Sequence, residues 1–565
     1  MKAVVASTAR DASPSFDSIS PTLISAAIGT AAAGLAFFWA KVQRSAMEQR
    51  AQTAPIDGLP TAPGGHWLLG HLPSLAGSGD FRQGLQEVVV DPADANGMCS
   101  FWFLAAPAVS VLRGADVKAV LGASSYRASI KLVRIHTKMF LGAYALVSLM
   151  GREWKRYRSA VHRSFTSSAL SESQAAINEV GGTLAASLRN RALAAVGDGG
   201  YITEVLPLMK MATIDVFGQS ALGVDLGCCV ALTPSPVAEA FDFLAAEYSR
   251  RLASPLSPAS ALYWIPTAAN RRHARERSRL RSFIAELIEK GRADLAAGRE
   301  VKRSEFLTRL IKADNGSKGD AILTDTLMVL LFGGYDTTSI TLSYALHLLA
   351  THPHVEAMVT EEIRAVMGGP RWQNRDVNGD RSDPSPLDDH ARLPLTRAVV
   401  LETLRLYPPA PATTRNLEKP LELHGKVIPT GTMMYVPIWS VQRDQANYPA
   451  PDQFRPDRWA RRDGEGLGWV ARDDAAGGPM GPGDGRTCGT TYVPPAHRDA
   501  FCAFSGGARN CVGRVLAMQE ATTILACLLR DLRFDSVPGY TLQPKQSSVV
   551  QHPHDGLPMV IRPRM

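Results

Sequence analysis

Cysteine is scarce in this chain, and the few cysteines are not spaced for cross-linking or for metal binding. The 565 residues include seven cysteines, and none of them stands in a CxxC pair. Closely spaced pairs are typical of disulfide-stapled secreted domains and of structural zinc sites. The pattern therefore argues against both classes and favours a reducing compartment.

Charge is also modest, and basic residues are not concentrated together with aromatic ones. Charged residues make up 20% of the chain, and the net charge of +8 suits an acidic partner or an anionic membrane. The densest basic stretch, residues 271–281, lacks interleaved aromatics and continues into an apolar pattern at Phe283 and Leu287. This pattern predicts a solvated helix face, so we expect no nucleic-acid partner.

Long uncharged runs are rare, and the first of them lies near the N-terminus. Residues 22–40 form a 19-residue uncharged stretch, which as a helix would extend about 29 Å, close to the thickness of a bilayer core. Lys41, Arg44 and Arg50 follow it, so the positive-inside rule predicts a single anchor with the rest of the chain in the cytosol. Because the run is rich in alanine and glycine, a cleaved organelle transit peptide is the alternative.

The second apolar run, from Leu327 to Ala350, carries Asp336 at its centre. A carboxylate there would cost roughly 2.5 to 3.5 kcal/mol in a membrane, so we predict a buried helix of a globular domain instead. A Pro- and Gly-rich segment, 58–65, suits a hinge. The chain is thereby divided into an anchor with its linker, 1–54, and one large domain, 55–565.

Helical periodicity dominates that domain. Apolar residues recur at helical spacing from about residue 80 to 365, which predicts a mainly α fold with a minor β part. A small hairpin sheet is predicted later, from residues 421–423 and 426–428 around His424-Gly425, followed by 432–436. Segments 368–393 and 460–493 lack periodicity, and we expect surface loops there.

The segment from Phe504 to Gly513, with the sequence FSGGARNCVG, leads directly into an apolar helix. Its glycines allow tight turns and close approach to a flat ligand. The helix start offers free N–H groups and a positive dipole end to Cys511, which predicts a lowered thiol pKa and a thiolate able to bind ferric iron. The alternative is an inert, half-buried cysteine.

This string resembles the haem-binding signature of the cytochrome P450 family, Phe-x-x-Gly-x-Arg-x-Cys-x-Gly, at every fixed position. The resemblance implies the mainly α cytochrome P450 fold and haem b with Cys511 as its axial iron ligand. It also implies that the remaining fixed positions line the cofactor: Phe504, Gly507, Arg509 and Gly513.

Inside the apolar run, Gly333-Gly334-Tyr335-Asp336-Thr337-Thr338 resembles the oxygen-activating motif of the same family, Ala/Gly-Gly-x-Asp/Glu-Thr. The two glycines have no side chains, which leaves room beside the helix and weakens its hydrogen-bond ladder. Asp336 and Thr337 supply an acid and an alcohol side by side. We expect these two residues to relay protons to bound dioxygen. The alternative is a kinked core helix without a catalytic role.

Three further strings resemble parts of the family. Glu402 and Arg405, together with the Pro-Asp-Arg turn that ends at Arg458, imply a buried ionic network behind the haem. Trp154-Lys155-Arg156-Tyr157-Arg158 resembles the family's Trp-x-x-x-Arg helix. It implies contacts from Trp154 and Arg158 to the haem propionates, and Arg415 and Arg509 match the other cationic positions. Gln442-Arg443-Asp444 departs from the more common His-Arg-Asp.

The resemblance implies a monooxygenase that uses dioxygen to insert one oxygen atom into an apolar small molecule. Its electrons would come from an NADPH-dependent reductase that docks near Lys155, Arg156 and Arg163. The expected location is the endoplasmic reticulum membrane with the catalytic domain in the cytosol. If residues 22–40 direct the chain to a plastid, a ferredoxin would replace the reductase. Two rivals stay open: an isomerase or dehydratase of the same fold that acts on peroxides, and a non-catalytic haem sensor or carrier.

Overall fold

The structure is a computed structural model that describes residues 58–564 with several gaps. The residues left out within that range are 67–69, 72–73, 75–80, 104–105, 127–130, 166, 196–199, 254–262, 264, 299–304, 314–319, 370–389, 463–468, 472–498 and 548–549. The expected anchor at 22–40 therefore lies outside the described residues. Among the helices that are described, none is long and apolar enough to cross a membrane.

Helices make up most of the described chain, which confirms the mainly α prediction. The first ten are α1 (Phe81–Leu85), α2 (Gly114–Ala123), α3 (Lys131–Leu141), α4 (Gly151–Ser164), α5 (Ser167–Ala194), α6 (Val205–Phe217), α7 (Cys228–Ala231), α8 (Pro236–Ala253), α9 (Ala268–Ala296) and α10 (Glu305–Ala313). They are followed by α11 (Asp320–Thr351), α12 (Pro353–Met367), α13 (Pro394–Leu406), α14 (Ile438–Val441) and α15 (Arg514–Asp531).

Helix α11 runs through the centre of the domain. Its buried residues lie on every side of the helix, and it packs against α6, α9, α13 and α15. A helix that is apolar all round is stable only when neighbours cover all its faces. The second apolar run is therefore the core helix that the sequence predicted. It ends at Thr351, where Pro353 begins α12 because proline cannot continue a helical hydrogen-bond ladder.

The strands form one larger sheet and several small ones. Their bounds are β1 (Met98–Phe103), β2 (Ala106–Val111), β3 (Tyr201–Glu204), β4 (Thr413–Asn416), β5 (Leu421–Leu423), β6 (Lys426–Ile428), β7 (Met433–Val436), β8 (Ala460–Arg462), β9 (Trp469–Ala471), β10 (Leu532–Ser536), β11 (Pro544–Ser547), β12 (Val550–Pro553) and β13 (Pro558–Pro563). The four-stranded sheet has the order β1-β2-β7-β4, and a three-stranded sheet has the order β10-β13-β3.

The predicted hairpin is confirmed, but β7, the strand that the sequence predicts beside it, belongs to another sheet. Strands β5 and β6 pair antiparallel around His424 and Gly425, which both have positive φ, 51° and 73°, as a two-residue hairpin turn requires. Strand β7 instead pairs parallel with β2 and antiparallel with β4. All four of its residues are buried, and a strand buried on both faces is more stable inside a sheet than at the edge of a hairpin.

Two further expectations change. Strands β1 and β2 form an antiparallel pair within the part expected to be helical. The segment from residue 460 is expected to be irregular, yet β8 (Ala460–Arg462) and β9 (Trp469–Ala471) pair antiparallel within it. Most of the remaining residues of the two expected loops lie outside the described residues. Strands of three to six residues give too few repeats of an alternating pattern for the sequence to reveal them.

A buried ionic network joins α13 to the turn at Arg458, as predicted. The Glu402 carboxylate accepts hydrogen bonds from Arg405 Nη2 at 2.8 Å and Arg405 Nε at 2.9 Å. Arg458 Nε lies 3.3 Å from it. The indole N–H of Trp459 also donates to Glu402, at 2.8 Å, a contact that the sequence did not indicate. Buried charges are stable only when they are paired and fully hydrogen-bonded, and this cluster meets that condition.

Gln442 stands where the family pattern more commonly has histidine, and both ends of its side-chain amide are hydrogen-bonded. It is completely buried. Its Nε2 donates to the carbonyls of Leu404 and Arg405, each at 3.0 Å, and its Oε1 accepts from the Cys502 backbone N–H at 3.1 Å. The amide therefore ties the end of α13 to the segment that leads into the cysteine loop.

Candidate active site

The cysteine loop is a tight turn that only glycine can complete. Gly507 has φ +62°, and a β-carbon there would lie 2.1 Å from the Leu121 carbonyl oxygen. The Cys511 N–H donates to the Phe504 carbonyl at 2.9 Å, which closes the loop. Gly513 is the N-cap of α15. The sequence prediction that Cys511 sits just before a helix start is confirmed.

The Cys511 side chain is enclosed by protein and still accessible. Of the cysteines that the structure describes, it alone is exposed, whereas the others are buried. Nevertheless, burial raises its pKa, and this outweighs a hydrogen bond from the Gly513 N–H and the attraction of Arg158 and Arg514.

The sequence predicts a lowered pKa for the Cys511 thiol. This prediction is wrong when only the protein's own groups act on the sulfur. The helix end and the two guanidinium groups act in the expected direction, but desolvation of the charged sulfur is larger. A metal cation at the sulfur reverses this balance, because a coordinating thiol is deprotonated outright. A single accessible sulfur on a helix-capping loop fits the axial ligand of a haem iron.

The residues expected to contact haem propionates gather around this loop. Arg158 donates to the Asn510 carbonyl at 2.8 Å and to the Asn510 side chain at 2.6 Å. Arg509 lies over the buried Trp154 ring, 4.0 Å from its centroid, and donates to the Ser125 carbonyl at 2.6 Å. The structure thus brings Trp154, Arg158 and Arg509, three of the four residues, together at the cysteine loop.

Arg415, the fourth of them, reaches the same loop from β4. It is fully buried, and its Nη2 donates to the Gly506 carbonyl at 2.8 Å and to the Ser505 hydroxyl at 3.2 Å. These arginines direct N–H groups to protein acceptors, and their contacts with propionates stay a prediction.

On α11, the two glycines of the second motif border open space. A β-carbon at Gly333 or Gly334 would meet no atom within 4 Å, and Gly333 is exposed although most of the helix around it is buried. The Thr337 hydroxyl donates to the Gly333 carbonyl at 2.6 Å. Thr337 therefore lies one helical turn from the opening.

Asp336 is turned away from that opening and is paired with groups the sequence did not indicate. Its side chain is 4% exposed, and Lys210 Nζ of α6 lies 3.2 Å from its Oδ1. His552 Nε2 of β12 lies 3.6 Å from its Oδ2. Lys210 also contacts Asp242 of α8 at 2.7 Å. These partners are far apart in the chain and belong to no motif, so no local signal could have identified them.

The sequence model of the cytochrome P450 family matches residues 60–558 of this chain. The chain belongs to the cytochrome P450 family. The predicted family and fold class are thereby confirmed, and family membership implies a haem-thiolate cofactor. Helix α11 packs against α15, the helix that begins just after Cys511, so the two motif-bearing segments belong to one core.

Bacterial and animal members of the family are among the similar proteins. Cyclooctat-9-en-7-ol 5-monooxygenase of Streptomyces melanosporofaciens is 29% identical over 55% of this chain and 58% of its own length. Pentalenene oxygenase of Streptomyces avermitilis is 30% identical over 56% of this chain and 60% of its own length. Cytochrome P450 4ae1 of Drosophila melanogaster is 27% identical over 75% and 77%. The chain thus matches about six tenths of the length of the two bacterial relatives.

Proposed function

We propose that this cytochrome P450 is a monooxygenase that inserts one atom of dioxygen into an apolar small molecule and releases the other as water. The observation that carries the proposal is Cys511, an accessible sulfur on the glycine-dependent loop that leads into α15. Bacterial relatives that are named a monooxygenase and an oxygenase support the reaction type.

The residues that would hold haem b follow from this proposal. Cys511 would be the axial ligand, and Phe504, Gly507 and Gly513 would shape the loop around it. Trp154, Arg158, Arg415 and Arg509 would surround the propionates, which need cationic or hydrogen-bonding partners when they are buried. When bound, the haem supplies the electron transfer that activates dioxygen.

The protein's own contribution to the chemistry would be protons. Cleaving the oxygen–oxygen bond consumes two protons, and an apolar pocket offers none unless side chains carry them. The Thr337 hydroxyl, beside the opening at Gly333, would pass protons forward. Asp336, the preceding residue, would replenish it from the side of the helix that contacts Lys210 and His552.

Electrons would come from an NADPH-dependent reductase. Lys155, Arg156 and Arg163 are exposed on α4, the helix whose Arg158 contacts the cysteine loop. A basic surface beside the cofactor suits an acidic electron-transfer partner. A ferredoxin would take this place if the chain is plastidic.

The proposal is tested by reconstituting the haem-loaded chain with a reductase and a library of apolar compounds. We expect oxygen uptake and NADPH oxidation that both depend on the reductase, and a product carrying one oxygen atom from labelled dioxygen. Conversion of an organic peroxide without NADPH or dioxygen would instead indicate an isomerase or dehydratase. Stable haem binding without turnover of any kind would favour a sensor or carrier.

The proposal includes an endoplasmic reticulum anchor at residues 22–40, supported by the length of the run and the basic residues after it. The full chain should sediment with membranes and resist extraction by high salt. A chain shortened to begin at Pro55 should be mostly released by salt and still bind haem. Isolation of mature protein that begins beyond residue 40 would contradict the anchor and indicate a transit peptide, with a plastid as the location.

A further inference from the structure

Asp336 lies between two basic side chains that reach toward solvent. On one side stands Lys210, whose side chain is 17% exposed, and beyond it Asp242, which is 41% exposed. On the other side stands His552, which is 25% exposed. The acid itself is almost completely buried. Any proton that Asp336 gives up must therefore be replaced through one of these two neighbours or through water beside them.

Lys210 is unsuited to supply that proton. Burial lowers its pKa, but attraction to Asp336 and Asp242 outweighs the burial, so the pKa is raised above its ordinary value. Tyr335 donates its phenol to Asp242 at 3.0 Å, and burial raises its pKa as well. Both groups keep their protons near neutral pH and act as fixed partners in the cluster.

The pKa of His552 is shifted in the opposite direction, downward. Burial lowers its pKa below the usual value of 6.5, and the Asp336 carboxylate only partly opposes the shift, while Lys210 adds to it. The imidazole therefore gives up its proton more readily than an ordinary histidine. Its Nε2 lies 3.6 Å from Asp336 Oδ2, so a movement of about half an ångström completes a hydrogen bond.

We propose that His552 is a positioning residue that returns protons from solvent to Asp336. The His552 imidazolium transfers its Nε2 proton to Asp336 Oδ2, becomes neutral, and regains a proton from water. Proton and charge balance in each cycle, and no oxidant or reductant is consumed. The inference rests on the proposed monooxygenase function, in which Asp336 replenishes Thr337.

The charged surroundings of His552 determine the pH response. Asp336 faces it from α11, Lys210 from α6 and Asp242 from α8, and Lys545 is the residue opposite it in the β11–β12 register. Because imidazolium is the donor, proton return is fastest at low pH and weakens as the pH rises through the His552 pKa. Product formed per NADPH should fall over the same range, with hydrogen peroxide making up the difference.

The test compares His552→Gln with a matched control, His554→Gln. Glutamine preserves polarity but cannot titrate, and His554 is a partly exposed histidine nearby that pairs with Asp555 rather than with Asp336. We expect His552→Gln to lower product per NADPH about 10-fold and to flatten its pH profile. This is less than the full loss of a proton donor, because water also reaches the site. The control should match the parent chain.

A second readout does not depend on turnover. In protein with isotope-labelled histidine, the His552 resonance should titrate at a lower pH in Asp336→Asn, because the carboxylate that favours imidazolium is gone. An unchanged titration, or an unchanged product ratio in His552→Gln, would overturn the inference. If Thr337→Ala uncouples turnover and His552→Gln does not, only this inference fails. If Thr337→Ala has no effect, the proposed relay itself fails.

Discussion

Replacing Cys511 with histidine is expected to abolish the thiolate signature of the haem and reduce turnover below detection. In the reduced, carbon monoxide-bound protein, the red-shifted Soret band should be lost. An imidazole donates less electron density than a thiolate, and that donation favours cleavage of the oxygen–oxygen bond. The band is measured by difference spectroscopy on the purified variant.

Cys502 provides a matched control for this prediction. It lies nine residues upstream, is buried, and burial raises its pKa to about 12, which is expected of an inert structural cysteine. Cys502→Ala should keep the red-shifted band. If Cys511→His keeps the band as well, Cys511 is not the axial ligand.

Replacing Thr337 with alanine is expected to uncouple NADPH oxidation from product formation. The variant should keep its haem content and its carbon monoxide spectrum, since Thr337 lies on α11 and not in the cysteine loop. Loss of a positioned proton donor typically slows the dependent step by about 10² to 10⁴. NADPH consumption should then yield hydrogen peroxide, and the measured quantity is product formed per NADPH with a turned-over substrate.

Two variants make the result specific. Thr337→Ser keeps the hydroxyl and should stay close to the parent chain. Thr341→Ala removes a hydroxyl one helical turn further along, which donates to the Thr337 carbonyl at 2.9 Å, and should not raise peroxide. An unchanged product ratio in Thr337→Ala would remove Thr337 from the relay, and normal turnover of Asp336→Asn would remove Asp336.

Much of the site could be predicted because its residues are close together in sequence. The loop from Phe504 to Gly513 combines a glycine-dependent turn, a cysteine and a helix start within ten residues. The i, i+3 pair of Glu402 and Arg405 needs only helical geometry to bring its charges together. The core position of α11 followed from the cost of placing Asp336 in a membrane. In each case, the deciding interaction is local.

The thiol pKa shows where local reasoning is insufficient. A helix start and neighbouring arginines predicted a lowered pKa for Cys511, and both effects are present. Desolvation is the larger effect, and it depends on all the chain segments that enclose the sulfur. No short string of residues specifies how dense that enclosure is.

The sequence by itself determined the family, the helical class, the cysteine loop and the acid–alcohol pair of α11, since motifs and periodicity are properties of neighbouring residues. Only the tertiary structure decided that β7 pairs with β2 and that Asp336 contacts Lys210 and His552. Those partners are separated by more than 100 residues along the chain. Backbone pairing and buried charge pairing over such distances depend on how helices and strands pack, and packing is a property of the whole core.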